Sequence, residues 1–287
     1  KGIAATVDSS SHYCLAHPLT GGKLVVCESW RNLISVGSYP IAITNCLNFG
    51  NPTKEKIMGQ FVECIDGISQ ACRYLDYPVV SGNVSFYNET QKRSISPTPT
   101  IGGVGLIKNL NFMMTKNLKK INSTILVIGK TLGHLYQSEF FREVLGNNNG
   151  PPPEVNLFNE KNNGLAVQKI ISKGLVNSVH DISSGGILIS LAEMCISGNI
   201  GVKIKIPRND ISPNEYLFGE DQSRYLIELD KSKEDEVFKI LKKSSIYYEK
   251  IGHSQKERLE LDNEFSIKLD ELNKLNSGWF KNYFNEN

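Results

Sequence analysis

Short apolar runs alternate with amphipathic stretches of helical period along the chain, and that alternation limits the folds it can adopt. Strands are predicted at 40–44, 77–81, 101–107, 124–128 and 225–229, and an amphipathic helix at 22–37. Interleaved strands and helices indicate an α/β or α+β protein in which helices cover a sheet.

The length of 287 residues predicts two domains, since one domain averages roughly 150 residues. The early sequence is rich in Gly-Asn and Pro and the later sequence in Lys and Asn, so we expect domains over residues 1–115 and 116–287. The net charge of +2 is not typical of a nucleic-acid module. No apolar run approaches the roughly 20 residues of a membrane helix, so neither nucleic acid nor a membrane is an expected partner.

The six cysteines carry no disulfide or zinc signature. No pair has C-x-x-C spacing, and most lie in apolar or helical surroundings, which predicts free buried thiols in a reducing cytoplasm. Cys14 lies between His12 and His17. Nearness in sequence is poor evidence for a Cys–His nucleophile, because such partners normally meet through the fold.

Three polar segments follow predicted strands, where ligands bind in many α/β folds. The first runs from Thr44 to Pro52, between a strand and a helix predicted to begin at Asn51-Pro52. Its asparagines donate and accept hydrogen bonds, which suits nucleotide hydroxyls, base edges or metal-bound water. The same residues also fit a loop that satisfies itself through Asx turns and a helix cap.

The second polar segment runs from Val79 to Glu89. Gly82 would let the backbone approach a phosphate, Asn83 would offer an amide oxygen to a hard cation, and Ser85 would contact a substrate phosphate. A β-hairpin turn at Gly-Asn explains the dipeptide equally well. The phosphate-binding pattern G-x-x-x-x-G-K-[ST] does not occur in the sequence.

The third polar segment runs from His180 to Gly186 and leads into a predicted helix. A Gly-Gly helix start leaves amide groups free for an anion, and Asp181 would hold Mg²⁺ beside it. The alternative is an ordinary helix cap by Asp181 or Ser183.

Taken in order, these segments resemble the C-terminal half of the phosphoribosylformylglycinamidine synthase family of purine biosynthesis. The resemblance covers most of the chain, is tightest over about residues 1–107, and is most specific from Val79 to Glu89. The segments that carry it are Gly21–Lys23, Trp30–Leu33, Thr44–Pro52, Pro78–Glu89, Pro97–Pro99 and His180–Ser183.

This resemblance implies a ferredoxin-like N-terminal domain of the AIR synthase-like superfamily, followed by a second α/β domain. It also implies an ATP-dependent ligase that makes formylglycinamidine ribonucleotide from formylglycinamide ribonucleotide and ammonia. ATP phosphorylates the amide oxygen, because that oxygen is otherwise a poor leaving group, and ammonia then displaces phosphate from the iminophosphate. Mg²⁺ neutralises the phosphates.

By the same resemblance, Asn45 and Gly82 contact ATP, Asn83 binds Mg²⁺, and Ser85 contacts the substrate. The family has Asp where this chain has Asn45, and commonly Asp where it has Ser184. Both differences lower the local negative charge, so we expect a weaker nucleotide contact at position 45.

The pseudo-twofold symmetry of the family implies an auxiliary nucleotide site, whose metal-side candidates here are Asp8, Asn32 and Asp181. The family's catalytic histidine and ATP-contacting lysine belong to its N-terminal half, and His12 does not take the histidine's role. The chain enters a predicted strand almost at Lys1, so we expect it to be part of something longer and inactive by itself.

The resemblance also implies partners. The first domain would pair its sheet with the N-terminal half of the synthase or with a second copy of itself, and a glutaminase subunit and a small accessory subunit would complete the complex. Two alternatives are a non-catalytic nucleotide-binding or assembly module and another AIR synthase-superfamily enzyme, such as aminoimidazole ribonucleotide synthetase. The string from Ser81 to Glu89 disfavours the second alternative.

Overall fold

The computed structural model describes residues 1–91, 93–207, 210–262 and 264–285. Its N-terminal part forms a four-stranded sheet with helices and a two-stranded hairpin. In chain order the elements are β1 (Gly2–Ser9), α1 (Ser11–Ala16), α2 (Pro18–Ser35), β2 (Tyr39–Asn48), α3 (Glu55–Leu75), β3 (Val79–Ser85), β4 (Glu89–Thr90), β5 (Arg93–Ser94) and β6 (Thr98–Ile107).

The C-terminal part forms a seven-stranded sheet with its own helices. In chain order the elements are β7 (Thr124–Ile128), α4 (Leu157–Ser172), β8 (Ser178–Asp181), α5 (Gly186–Gly198), β9 (Gly201–Ile204), α6 (Pro213–Phe218), β10 (Tyr225–Leu229), α7 (Glu234–Lys243), β11 (Tyr248–Gln255), β12 (Arg258–Leu261), β13 (Phe265–Lys268) and α8 (Leu269–Asn285).

The four-stranded sheet has the order β1-β6-β2-β3, with β2 and β3 parallel and the other neighbours antiparallel. Apolar side chains of α2 and α3 pack against one face of it. Glycines let the two helices approach closely, since a Cβ on Gly67 would lie 2.0 Å from the carbonyl oxygen of Leu19. The opposite face of the sheet, which includes Ile3 and Val7, is exposed.

The seven-stranded sheet has the order β13-β12-β9-β11-β7-β10-β8, and β7 lies between two hydrophobic cores. Successive strand residues point to opposite faces. Leu126 and Ile128 therefore join a core that α2 and α3 share with α4, while Ile125 and Val127 join a second core with α5 and β9. The first of these cores contains residues from both parts of the chain.

A buried ion pair also joins the two parts. Arg31 on α2 donates to Glu160 on α4 at 2.8 Å, and the two side chains are 1% and 0% exposed. Arg31 also donates to Gln222 Oε1 at 2.8 Å, and the Ser223 hydroxyl donates to Glu160 at 2.9 Å. These bonds link the two parts of the chain, although Arg31 Nε and Glu160 Oε1 are buried without a hydrogen-bond partner among the described residues.

Several predicted elements are confirmed, and some bounds are wrong. The strands predicted at 124–128 and 225–229 have those limits, whereas the strand predicted at 40–44 extends to Tyr39–Asn48. The helix predicted from Asn51 begins at Glu55, because Asn51 Oδ1 accepts the Thr53 amide at 2.9 Å in an Asx turn.

The free thiols predicted from the sequence are found. All six cysteines are free, and only Cys46 is partly exposed. Over the part of the chain that the structure describes, no helix combines the length and the apolar character needed to cross a membrane.

Candidate functional site

The four predicted ligand residues lie on two adjacent strands rather than in loops. β2 and β3 run parallel, and their register places Asn45 opposite Gly82 and Asn48 opposite Ser85. The prediction that β3 ends before Gly82-Asn83 is therefore wrong, because the strand continues to Ser85. The hairpin alternative is also wrong, since a hairpin pairs its strands antiparallel and Gly82 pairs in parallel with β2.

Asn45 and the Gly82 backbone meet on the side of the sheet that the helices cover. A Cβ at Gly82 would lie 2.2 Å from Asn45 Oδ1, so only glycine fits beside that side chain without movement. Asn45 is also opposite Ile101, which is fully buried. The amide of Asn45 thus lies over the glycine backbone at a half-buried position.

Asn83 and Ser85 belong to the opposite face of the sheet, because strand side chains alternate. Asn83 is exposed, and its Nδ2 lies 3.9 Å from the sulfur of Cys46 on the neighbouring strand. Within the described residues, no hydrogen bond involves Asn83 Oδ1. The structure therefore brings Asn83 and Ser85 together but separates their side chains from that of Asn45.

Two residues without a predicted role organise the loops at the ends of these strands. Asn88 Nδ2 donates to the carbonyl oxygens of Phe49 and Ser85, each at 3.0 Å. Glu89 accepts the Lys54 amine at 2.6 Å and the Ser94 hydroxyl at 2.7 Å, and the bond from Lys54 lowers the pKa of Glu89. In the sequence these two residues are the Asn-Glu pair at the end of the polar segment that begins at Val79.

The auxiliary-site candidates meet at the junction of the two parts of the chain. Asn32 Nδ2 donates to Asp8 Oδ1 at 2.7 Å. Burial raises the pKa of Asp8, and the charge of Asp181 raises it further, although hydrogen bonds from Thr6 and Asn32 act the other way. Asn32 is thus joined to Asp8 by a hydrogen bond, whereas Asp181 on β8 acts on Asp8 through its charge.

His180 keeps Asp181 ionised. The imidazole lies 3.1 Å from Asp181 Oδ1 and 2.9 Å from Glu193 Oε2. Burial alone would raise the pKa of Asp181, but the hydrogen bond and charge of His180 lower it to about 2. Burial alone would lower the pKa of His180, but the two carboxylates raise it to about 9.

The Gly-Gly helix start, predicted as an anion site, is engaged by a carboxylate of the chain itself. Glu220 Oε1 accepts the amide of Gly185 at 2.7 Å and that of Glu139 at 2.8 Å, and its other oxygen accepts the Tyr13 hydroxyl. The alternative prediction of an Asp181 or Ser183 cap is wrong, because α5 has no side-chain cap. Among the described residues, no cluster of three or more His, Cys, Asp or Glu is arranged to hold a metal.

His12 and Cys14 do not form a nucleophilic pair. Burial and the charge of Arg142 lower the pKa of His12 to about 4, so its ring is neutral at pH 7. A hydrogen bond with Cys64 and burial raise the pKa of Cys14 well above its usual value, so its thiol stays protonated. These states agree with the sequence-based rejection of a Cys–His dyad.

Comparison with known families decides the classification. The N-terminal domain of AIR synthase related proteins matches residues 1–107, and the C-terminal domain of the same proteins matches residues 120–262. The chain belongs to the AIR synthase-related family. The AIR synthase-like fold expected from the sequence is thereby confirmed, and the strands β2 and β3 that carry the predicted ligand residues lie in the N-terminal family domain.

Among AIR synthase-related proteins, the chain is 54% identical over 283 residues to phosphoribosylformylglycinamidine synthase subunit PurL of Pelagibacter ubique. That match covers 99% of this chain but 39% of the relative, so the chain spans about two-fifths of the relative's length. Two solved structures of Thermotoga maritima PurL, complexed with ATP and with FGAR, share the fold with TM-scores of 0.77 and 0.79. They are 18% and 19% identical and cover 94% of this chain and 44% and 46% of their own chains.

Proposed function

We propose that this chain is the C-terminal part of a phosphoribosylformylglycinamidine synthase and supplies one wall of its ATP and substrate site. The observation that carries the proposal is the 54% identity with a PurL subunit over 99% of this chain. The reaction joins ammonia to formylglycinamide ribonucleotide and yields formylglycinamidine ribonucleotide, ADP and phosphate.

The chemistry requires positioning more than covalent participation of the protein. The amide oxygen of the substrate attacks the γ-phosphorus of ATP, ADP leaves, and ammonia then replaces the phosphorylated oxygen at carbon. Such transfers depend on aligned reactants and on fixed dipoles around the phosphates. Asn45, Gly82, Asn83 and Ser85 supply amide, backbone and hydroxyl groups, which orient reactants rather than exchange protons at neutral pH.

Gly82 is the residue with the strictest steric requirement in this site. It lies on β3, the edge strand of the sheet, so a ligand reaches its backbone from the open edge. The absence of a side chain keeps the phosphate path clear and leaves room for Asn45 Oδ1. Asn45 would contact the nucleotide on one face of the strand, and Ser85 would contact the substrate on the other.

Mg²⁺ would bind to this part of the site only if the phosphates of the nucleotide also coordinate it. Asn83 has one amide oxygen free to bind it, but a neutral amide is a weak ligand without carboxylates or phosphates. When bound with ATP, Mg²⁺ would neutralise phosphate charge. The N-terminal part of the synthase would add the remaining ligands, together with the catalytic histidine.

The partner surface we propose is the exposed face of the four-stranded sheet. Ile3 and Val7 on β1 are 80% and 74% exposed, and Val104 on β6 lies on the same face. A strip of this kind on a sheet favours a protein partner. We assign it to the N-terminal part of the synthase or a second copy of this chain, with a glutaminase subunit and a small accessory subunit completing the complex.

Reconstitution tests the proposal. The chain is mixed with a separately expressed N-terminal part, and ADP release is measured with ATP, ammonia and formylglycinamide ribonucleotide. We expect activity only from the mixture. Activity of the N-terminal part alone, or an inactive complex of the two folded parts, would refute the proposed role.

Gly82→Ala gives the matched test of the site itself. We expect it to lower kcat/KM of the mixture at least tenfold, because the new methyl group displaces Asn45. Gly59→Ala on α3 is the control, since nothing lies within 4 Å of the added Cβ. Equal activity of the two variants would contradict the assignment of Gly82.

A further inference from the structure

A cavity of about 570 Å³ lies in the C-terminal part of the chain and has no lining residue in common with the site on β2 and β3. Its walls are the loop after β7, the start of α4 and the loop before β10. The volume is within the range of small-molecule sites in proteins. The residues that carry the argument are Lys130, Tyr136, Asn156, Asn159, Asn163 and Asp221.

Buried polar groups hold the walls of this cavity in place. Asp221 is 5% exposed and accepts the backbone amides of Leu132, Gly133 and His134 at 2.9–3.2 Å. Arg224 is fully buried and donates to the carbonyl oxygen of Asp221 at 2.9 Å. The loop after β7 is therefore fixed by the loop before β10.

Three asparagines line one wall, at positions that share a face of a helix. Asn156, Asn159 and Asn163 follow the i, i+3, i+7 spacing at the start of α4. Asn163 is 8% exposed and donates its Nδ2 to the Ser223 carbonyl at 2.8 Å, which leaves its Oδ1 available. Within the described residues, neither Oδ1 nor Nδ2 of the Asn159 side chain makes a hydrogen bond.

An aromatic ring held in place by packing and a lysine without an ion pair are also part of the lining. The Tyr136 ring packs on Gly150, whose Cβ would lie 2.4 Å from it, and meets Phe141 edge-to-face at 5.2 Å. Tyr136 is nevertheless 50% exposed, so part of the side chain is open to a ligand. Lys130 lines the same cavity, and in the described structure its amine has no ion pair.

We propose that this cavity binds an adenine nucleoside 5′-monophosphate, independently of the synthase site. An asparagine amide matches the donor and acceptor edge of adenine, an aromatic ring stacks on the base, and a lysine amine binds phosphate as a point charge. Asn159 and Asn163 read the base edge, Tyr136 stacks, and Lys130 pairs with the phosphate. The site recognises a free nucleotide and transfers no group.

Titration calorimetry of the full chain with AMP tests the proposal, with adenosine and inorganic phosphate as further probes. We expect saturable binding of one AMP, and at least tenfold weaker binding of AMP by Asn159→Leu and by Lys130→Met. Lys130→Met should leave the weaker binding of adenosine unchanged, because adenosine lacks the phosphate. Circular dichroism confirms that each variant is folded.

Matched controls separate this site from others. Asn162→Leu and Lys169→Met make the same changes on α4 outside the cavity and should bind AMP as the parent chain does. Absence of saturable AMP binding would overturn the proposal. So would AMP binding that Gly82→Ala weakens and Asn159→Leu does not, which would place AMP in the synthase site.

Discussion

Asn45 belongs to the proposed ATP site, at a position where the sequence resemblance implies an aspartate in the family. The amide keeps the shape of the family's aspartate but lacks its charge, and charged hydrogen bonds are about twice as strong as neutral ones. We expect Asn45→Asp to tighten ATP binding by the reconstituted complex about threefold to tenfold, which corresponds to about 1 kcal/mol.

Equilibrium binding of ATP measures the effect of that change. Asn48→Asp is the control, since it adds the same charge three residues along β2, on the opposite face. An ATP affinity that Asn45→Asp leaves unchanged or lowers would remove Asn45 from the nucleotide contact.

His12 makes a prediction about pH that is independent of any ligand. Burial lowers the pKa of His12 from 6.5 to about 4. As the pH falls, the imidazole is therefore protonated near pH 6.5 in the unfolded chain but only near pH 4 in the folded chain. Stability must therefore fall as the pH drops through this window. Its Nε2 is buried without a partner among the described residues, so charging the ring gains no hydrogen bond.

We expect His12→Leu to reduce the loss of unfolding free energy between pH 7 and pH 5 by about 1–2 kcal/mol relative to the parent chain. Urea unfolding at both pH values gives the difference. Parallel slopes for the His12 variant and the parent would show that this ring does not titrate as described.

At the level of elements, the sequence predicted strands better where both faces are buried. β7 and β10 are mostly apolar and are buried at every residue, and their predicted limits are correct. β2 and β3 were predicted too short because Asn45, Gly82 and Asn83 look like turn residues. Parallel pairing with a distant neighbour overrides that local preference, and a single sequence does not reveal the pairing.

The candidate site shows the same limit. The residue types in the segments from Thr44 and Val79 predict that these two strands carry the site, and the two strands pair side by side. The split of Asn45 and Asn83 between opposite faces depends on register, and the use of Glu220 at the Gly-Gly turn depends on a contact 35 positions away in the chain. Neither follows from local sequence.

The contact between α2 and α4 gives a prediction about stability. Arg31→Met would leave Glu160 buried without its partner, which costs about 3–5 kcal/mol, whereas breaking an exposed pair costs under about 1 kcal/mol. Lys173→Met is the control, because Lys173 and Glu236 are 46% and 51% exposed. Urea unfolding compares the two variants.

The double variant Arg31→Met/Glu160→Gln identifies the cause of that loss. If the unpaired charge is responsible, the double variant recovers part of the stability that the single variant loses. A single variant as stable as the Lys173 control would show that the ion pair does not hold α2 and α4 together.

At the scale of the whole molecule, the two parts of the chain differ in what they leave exposed. One hydrophobic core lies within the C-terminal part, and the other contains residues of both parts. The domain boundary near residue 115 therefore stays a prediction made from the sequence. Helices cover only one face of the N-terminal sheet, and Ile3 and Val7 are exposed on the other face. That asymmetry predicts association through the uncovered face.

We expect the isolated chain to be larger than a monomer by light scattering at micromolar concentration, because a second copy covers this face when the N-terminal part is absent. Ile3→Lys and Val7→Lys should shift the mass to that of a monomer and weaken capture of the N-terminal part, since a lysine buried in an apolar contact loses hydration. Leu275→Lys, a change at an exposed position of α8, is the control for added charge. A monomeric parent chain that also fails to bind the N-terminal part would show that this face serves neither partner.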